Sequence, residues 1–268
     1  MKHIQGFDEL RAVAVIAVMF YHLGWTQFGY GWAGVPFFFV ISGFLITGIL
    51  LDNKDSQPGN YFYTFYARRC LRIFPLYYLY LFVIALWCAA LGVQTSGWTH
   101  FLLYLQNYYL GANQFHLVPG MELGHTWTLA VEEQFYMIWP FLIFFVGRHY
   151  LKPMIFFLIT ASVLSRFWIG ENTSYVPFAP LTSNLDTLCL GALLAIIYRE
   201  RKTALGWVAW GSLFFGVGMI AYQAQGSPLS LNGSNSWFQL GLALLFAGIV
   251  GLVVTDKKMT IQWPLLVA

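Results

Sequence analysis

Eight apolar stretches of 17–22 residues (12–28, 32–52, 74–93, 126–147, 151–170, 181–198, 204–223 and 236–255) follow one another along the chain. Each is long enough to cross a hydrocarbon layer of ~30 Å as a helix. The segments joining them alternate in charge. Lys2 and Arg11 come at or before the start of the first stretch, Lys54, Arg68, Arg69 and Arg72 follow the second, and Arg148 and Lys152 follow the fourth. Arg199, Arg201 and Lys202 follow the sixth, and Lys257 and Lys258 the eighth. The intervening loops (Gly24–Gly31, Gly92–Gly97, Gly111–His125, Glu171–Pro180, Ala224–Asn235) contain no Lys or Arg. Basic loops face the cytoplasm, so the pattern predicts eight crossings with both ends of the chain inside. One more apolar piece, Trp98–Leu110, is too short to cross and reads as re-entrant or interfacial. Were it a crossing, the alternation would invert midway.

With 59% hydrophobic and 9% charged residues, the chain cannot cover a water-facing surface, since soluble domains carry about 25% charged residues. The expectation is an all-α, polytopic transmembrane helix bundle forming one domain over residues 1–268, in a plasma (inner) membrane. Trp25, Trp32, Trp98, Trp168 and Trp237 fall at predicted outer edges, as an interfacial belt requires. No internal repeat is visible, which speaks against an inverted-repeat transporter. Cys70, Cys88 and Cys189 have neither disulfide nor zinc spacing, and no metal is expected. Asp8 and Glu9 precede the first apolar run without a cleavage signature, so that span is expected to be retained. A last apolar segment begins at Ile261 and stops at Ala268, so the chain reads as cut short. No nucleic-acid partner is expected.

Four groups of polar residues interrupt the apolar pattern. Arg11 and His22 share the first stretch, about 16 Å apart on a helix. An ionisable residue at that depth marks a functional site by default, and a neutral imidazole suits removal of a hydroxyl proton near pH 7. In Tyr66-Ala-Arg68-Arg69-Cys-Leu-Arg72-Ile-Phe-Pro75, Arg69 and Arg72 lie on one helical face. Two guanidinium forks there form a phosphate clamp, although a charge cluster also obeys the positive-inside rule. Pro75 is expected to fix the start of the next helix. Glu132 and Glu133, followed by Gln134, stand inside an apolar span. Pointing ~100° apart, they predict one carboxylate facing a cavity with an Arg or His and the other bracing. Finally, Asp186 and Arg166 read equally well as an ion pair between helices or as part of a site. Gly191, Ala192, Ala195 and the Ser42-Gly43 region read as close helix packing, with Ser42 a candidate cavity liner.

These motifs, in this order, resemble the integral-membrane acyltransferase-3 family, typified by O-antigen and exopolysaccharide O-acetylases. The resemblance is carried by Leu10-Arg11 with His22, Pro36–Phe44, Phe65–Arg69 through Arg72–Pro75, and His125–Tyr136, and covers the first half of the chain. The second half matches in hydropathy and in the Asp186–Gly191 stretch. The family usually has further helices that this chain lacks.

The resemblance implies transfer of an acyl group, usually acetyl from acetyl-CoA, to a sugar hydroxyl. His22 would then be the base, and Arg11, Arg69 and Arg72, with Arg68 beside them, would handle the donor. The expected partners are acyl-CoA as a substrate rather than a resident cofactor, a carbohydrate or lipid-linked glycan acceptor, and the bilayer. Glu132 or Glu133 would orient His22. The competing expectation is a proton-coupled transporter with His22, Glu132 and Asp186 as its relay.

Overall fold

A computed structural model describes residues 5–93, 96–113, 115, 123–226 and 236–255. Among these, every regular element is helical: α1 (Gln5–His22), α2 (Gly34–Asp52), α3 (Pro58–Leu91), α4 (Trp98–Leu102), α5 (Gln106–Ala112), α6 (Trp127–Phe145), α7 (Arg148–Asn172), α8 (Leu185–Glu200), α9 (Lys202–Gly226) and α10 (Ser236–Thr255). Six segments are long and apolar enough to cross a membrane: Thr26–Asp52, Pro58–Leu91, Arg148–Asn172, Leu181–Glu200, Lys202–Gln225 and Ser236–Thr255. The other two of the eight expected are α1 and α6. These helices carry Asp8, Glu9 and Arg11, and Glu132, Glu133 and Gln134, so polar residues of interest dilute their apolar character. The expected short piece forms α4 and α5, neither long enough to cross.

Two boundaries differ from the sequence reading. The first helix covers 5–22 rather than 12–28, because Gly24 turns with φ +74° and two 3-10 turns follow. Pro75 does not start a helix. It lies inside α3, which runs unbroken from Pro58 and carries the arginine cluster on the same rod as the apolar stretch. A bundle tolerates an interior proline in an apolar helix when neighbours satisfy the freed backbone groups. The segment from Ile261 to Ala268 lies outside the described residues.

Helix α2 is the centre. Its apolar residues are buried almost throughout, and it packs on α1, α6, α8 and α10. Against α8 the contact is backbone to backbone: a Cβ added at Gly43 would lie 1.9 Å from the Leu188 carbonyl oxygen, and one at Gly191 2.0 Å from the Val40 carbonyl oxygen. Each helix therefore has a glycine where the other's main chain passes. Close approach through small residues is how helices gain packing energy where lipid removes the hydrophobic drive between them.

Polar contacts tie the basic ends of the helices together. Lys54 Nζ donates to the Ile143 and Val146 carbonyl oxygens at 2.5 and 2.6 Å, capping the C-terminus of α6. Burial, and then the nearby Arg148 charge, hold the Lys54 ammonium below the usual lysine range. Arg148 pairs with Asp55 and Arg199 with Asp52, both at 2.8 Å, and Lys152 pairs with Glu200. Lys54, Arg148, Lys152 and Arg199, four of the cations expected to set orientation, thus gather at one end of the bundle; Lys2, Lys257 and Lys258 lie outside the described residues. Two tyrosines of α3 clip α6 near its interior Pro140: Tyr61 donates to the Pro140 carbonyl at 3.2 Å and Tyr66 to the Met137 carbonyl at 2.8 Å.

Candidate active site between two cavities

Among the described residues, two cavities bring the polar groups together. The first, about 680 Å³, opens among the basic ends and is lined by Arg11 of α1 and by Arg68, Arg69 and Arg72 of α3. Asp8, Ser42, Asn53, Asn60 and Tyr136 also line it. All four arginines of the sequence reading therefore meet in one place, although Arg11 and Arg68 are 57 positions apart. Asp8 approaches Arg11 at 3.9 Å, and the Arg69 guanidinium lies over the Tyr136 ring at 5.1 Å. Among the described residues, no carboxylate pairs with Arg68, Arg69 or Arg72, in contrast to Arg148, Lys152 and Arg199. A bare orientation signal therefore describes the second set better than the first.

The second cavity, about 690 Å³, is lined by His22, His125, Thr128 and Glu132, with Val18, Val35, Phe38 and Phe39 as its apolar wall. His22 is the last residue of α1 and its side chain is exposed; the early end of the helix moves it from the expected mid-span position to a helix terminus. The His22 and His125 rings meet edge to face with centroids 6.3 Å apart, and the Tyr80 ring lies 6.0 Å from that of His125. The sequence showed His125 only as the start of a motif. Its meeting with His22 required α1 and α6 to be placed side by side.

The two carboxylates part as their spacing predicted. Glu132 faces the second cavity with His22, whereas Glu133 lines neither cavity and is buried. The Glu133 Oε1 atom has no hydrogen-bond partner among the described residues. Gln134 has a structural role: its Nε2 donates to the Tyr104 carbonyl at 2.7 Å and to Asn107 Oδ1 at 2.8 Å, pinning the α4–α5 segment onto α6.

The cavities meet at a short polar bridge. Ser42, which lines the first, donates to Oε1 of Glu132, which lines the second, at 2.5 Å. The Tyr136 hydroxyl donates to Ser42 Oγ at 3.3 Å. Away from this bridge, Arg166 and Asp186 form a two-pronged ion pair of 2.9 and 2.6 Å, with side-chain exposures of 2% and 0%. Ser162 and Thr187 also donate to the Asp186 carboxylate, and Arg166 to the Ser183 carbonyl. Neither residue lines either cavity, so of the two readings the sequence left open, the interhelical pair is the one observed. A relay through His22, Glu132 and Asp186 has no such geometry. Among the described residues, no His, Cys, Asp and Glu cluster could hold a metal ion.

The bundle thus gathers guanidinium groups in one cavity and a histidine with a carboxylate in the other. The chain belongs to the acyltransferase-3 family, whose acyltransferase domain model matches residues 4–267. It is 28% identical over 284 residues to the peptidoglycan O-acetyltransferase OatA of Listeria monocytogenes, covering 94% of this chain and 43% of that protein. Over 222 residues it is 31% identical to a Bacillus subtilis protein named "Putative peptidoglycan O-acetyltransferase YrhL", covering 75% and 34%. A Staphylococcus aureus protein named "Putative O-acetyltransferase" is 32% identical over 220 residues, covering 75% and 36%. The chain thus spans roughly a third to two-fifths of the length of these relatives. No solved structure matches it. By class it is therefore a helical membrane member of that family.

Proposed function

We propose that the chain transfers an acetyl group from acyl-CoA, bound from the cytoplasm in the arginine-lined cavity, to a hydroxyl of a cell-wall or other surface glycan in the histidine-lined cavity. The observation that carries this is the pair of cavities joined at Ser42 and Glu132, with all four unpaired-by-carboxylate or weakly paired arginines on one side and His22 on the other. Phosphate and pyrophosphate groups suit guanidinium forks, which bind them by parallel charge-assisted hydrogen bonds. Arg11, Arg68, Arg69 and Arg72 hold the donor. His22 takes the acceptor's proton, with Glu132 positioned in the same cavity to stabilise the imidazolium. The basic helix ends support a cytoplasmic donor cavity, because basic loops of plasma-membrane proteins face the cytoplasm. The names of the relatives favour peptidoglycan among surface glycans.

The test is acyl transfer from radiolabelled acetyl-CoA to glycan in membranes carrying this chain or His22→Ala. Glycan label that appears with the native chain and falls at least about a hundredfold with the variant supports the assignment. Equal label in both removes His22 from the reaction.

A further inference from the structure

Acetyl transfer between two cavities needs a way for the acyl group to pass the polar bridge that separates them. Serine inside an apolar helix ordinarily turns its hydroxyl back to a carbonyl of its own preceding turn. Ser42 instead donates across to Glu132, at 2.5 Å, with its side chain lining the donor cavity. One turn along α6 from Glu132, the Tyr136 hydroxyl donates to the same serine oxygen. The Arg69 guanidinium lies against that tyrosine ring at 5.1 Å. A hydroxyl with a carboxylate to take its proton, held by a second donor, has the arrangement of an activated nucleophile. A brace between helices would need neither a cavity on the serine side nor one on the carboxylate side, and here both are present.

We propose that Ser42 carries the acyl group between the cavities as a transient ester, with Glu132 as the base for its formation; this rests on the reading that the donor is an acyl thioester. In the first half, Ser42 Oγ attacks the thioester carbonyl while Glu132 takes the hydroxyl proton. The C–S bond breaks, the proton passes from Glu132 to the departing thiolate, and free CoA thiol and acyl-Ser42 result. The acylated oxygen has no proton left to donate, so the Ser42–Glu132 hydrogen bond that divides the cavities is lost on acylation. In the second half, an acceptor hydroxyl attacks the ester carbonyl and His22 takes its proton. The bond between the acyl carbon and Ser42 Oγ breaks, and the proton returns to Ser42 through Glu132. Acceptor and donor never need to occupy one space.

The test uses the full chain in lipid nanodiscs with radiolabelled acetyl-CoA and no glycan, followed by denaturation and peptide mapping, with glycan transfer measured in parallel. The expected result is label on the peptide containing Ser42. It is absent in Ser42→Ala, cut at least about tenfold in Glu132→Gln, and accumulated in His22→Ala, which blocks the second half only. Ser42→Cys keeps a nucleophile: its label is a thioester released by neutral hydroxylamine, whereas the serine ester resists that treatment, so this variant decides the matter if Ser42→Ala does not fold. Label confined to another residue, or Ser42→Ala acetylating glycan within about twofold of the native chain, overturns the relay. Normal glycan transfer without acyl-Ser42 at any time point overturns the relay alone. Failure of the native chain both to take up label and to acetylate any glycan overturns the donor reading, and the relay with it.

Discussion

Adding one methyl group at Gly43 tests the geometry more sharply than removing a catalytic side chain. A Cβ there would sit 1.9 Å from the Leu188 carbonyl oxygen and 2.8 Å from its carbon. The obstacle is backbone, so no rotamer change relieves it, and α2 and α8 must part by at least ~1 Å to reach ordinary contact. Overpacking of a fixed interior costs ~1–3 kcal/mol. Ser42 is the neighbouring residue, and its hydrogen bond to Glu132 spans 2.5 Å. A shift of ~1 Å carries that contact to the limit of a hydrogen bond, and a misplacement of this size costs about a hundredfold in rate. Gly43→Ala is therefore expected to lower the melting temperature in detergent and to cut acetyl transfer by about that factor. Gly211→Ala on α9, where a Cβ meets nothing within 4 Å, is the control, expected to melt no lower than the native protein. Native stability and activity in Gly43→Ala would refute the close α2–α8 packing and the dependence of Ser42 on it.

Three further outcomes follow from described contacts. Arg69→Lys keeps the charge but loses the fork, and is expected to raise KM for acetyl-CoA about tenfold with less effect on kcat, read from initial rates. Arg166→Leu strands the Asp186 carboxylate in the interior and is expected to cost ~3–5 kcal/mol in thermal or denaturant unfolding; Arg166→Leu with Asp186→Leu should recover most of that loss. Gln134→Leu removes the donors that hold Tyr104 and Asn107, so residues 98–112 should exchange amide hydrogens and be cleaved by protease faster, with the rest of the bundle unchanged.

What the sequence made legible follows from local chemistry. Long apolar runs and alternating basic loops gave the helical membrane architecture, and the i, i+3 spacing of Arg69 and Arg72 anticipated that they line one cavity. The ~100° turn between consecutive helical residues separated Glu132 from Glu133 before either could be placed. The features that were not legible depend on residues far apart in the chain. Ser42 and Glu132 are 90 positions apart, and nothing near either shows that a hydrogen bond joins them. His125 meets His22 only because α1 ends where it does, at a glycine turn that the hydropathy pattern overran. Pro75 misled for a physical reason: proline starts helices often enough in isolation, but α6 clips the first half of α3 in place through Tyr61 and Tyr66, and the helix continues past the ring.

That continuity makes α3 a lever. It spans 34 residues, about 51 Å at the ordinary helical rise, and reaches residues of both cavities, with Arg69 over Tyr136 of the first and Tyr80 against His125 of the second. Arg69 lies roughly 9 Å before Pro75 and Tyr80 roughly 7.5 Å after it, the latter against His125. Because proline has no N–H to donate to the Leu71 carbonyl, the rod is most easily bent between these two points. A phosphate drawing the arginine arm inward by a few degrees would swing the tyrosine arm by a good fraction of an ångström. If the proposed donor binds there, the occupancy of the arginine-lined cavity would be felt at the histidine-lined one through a single pivot.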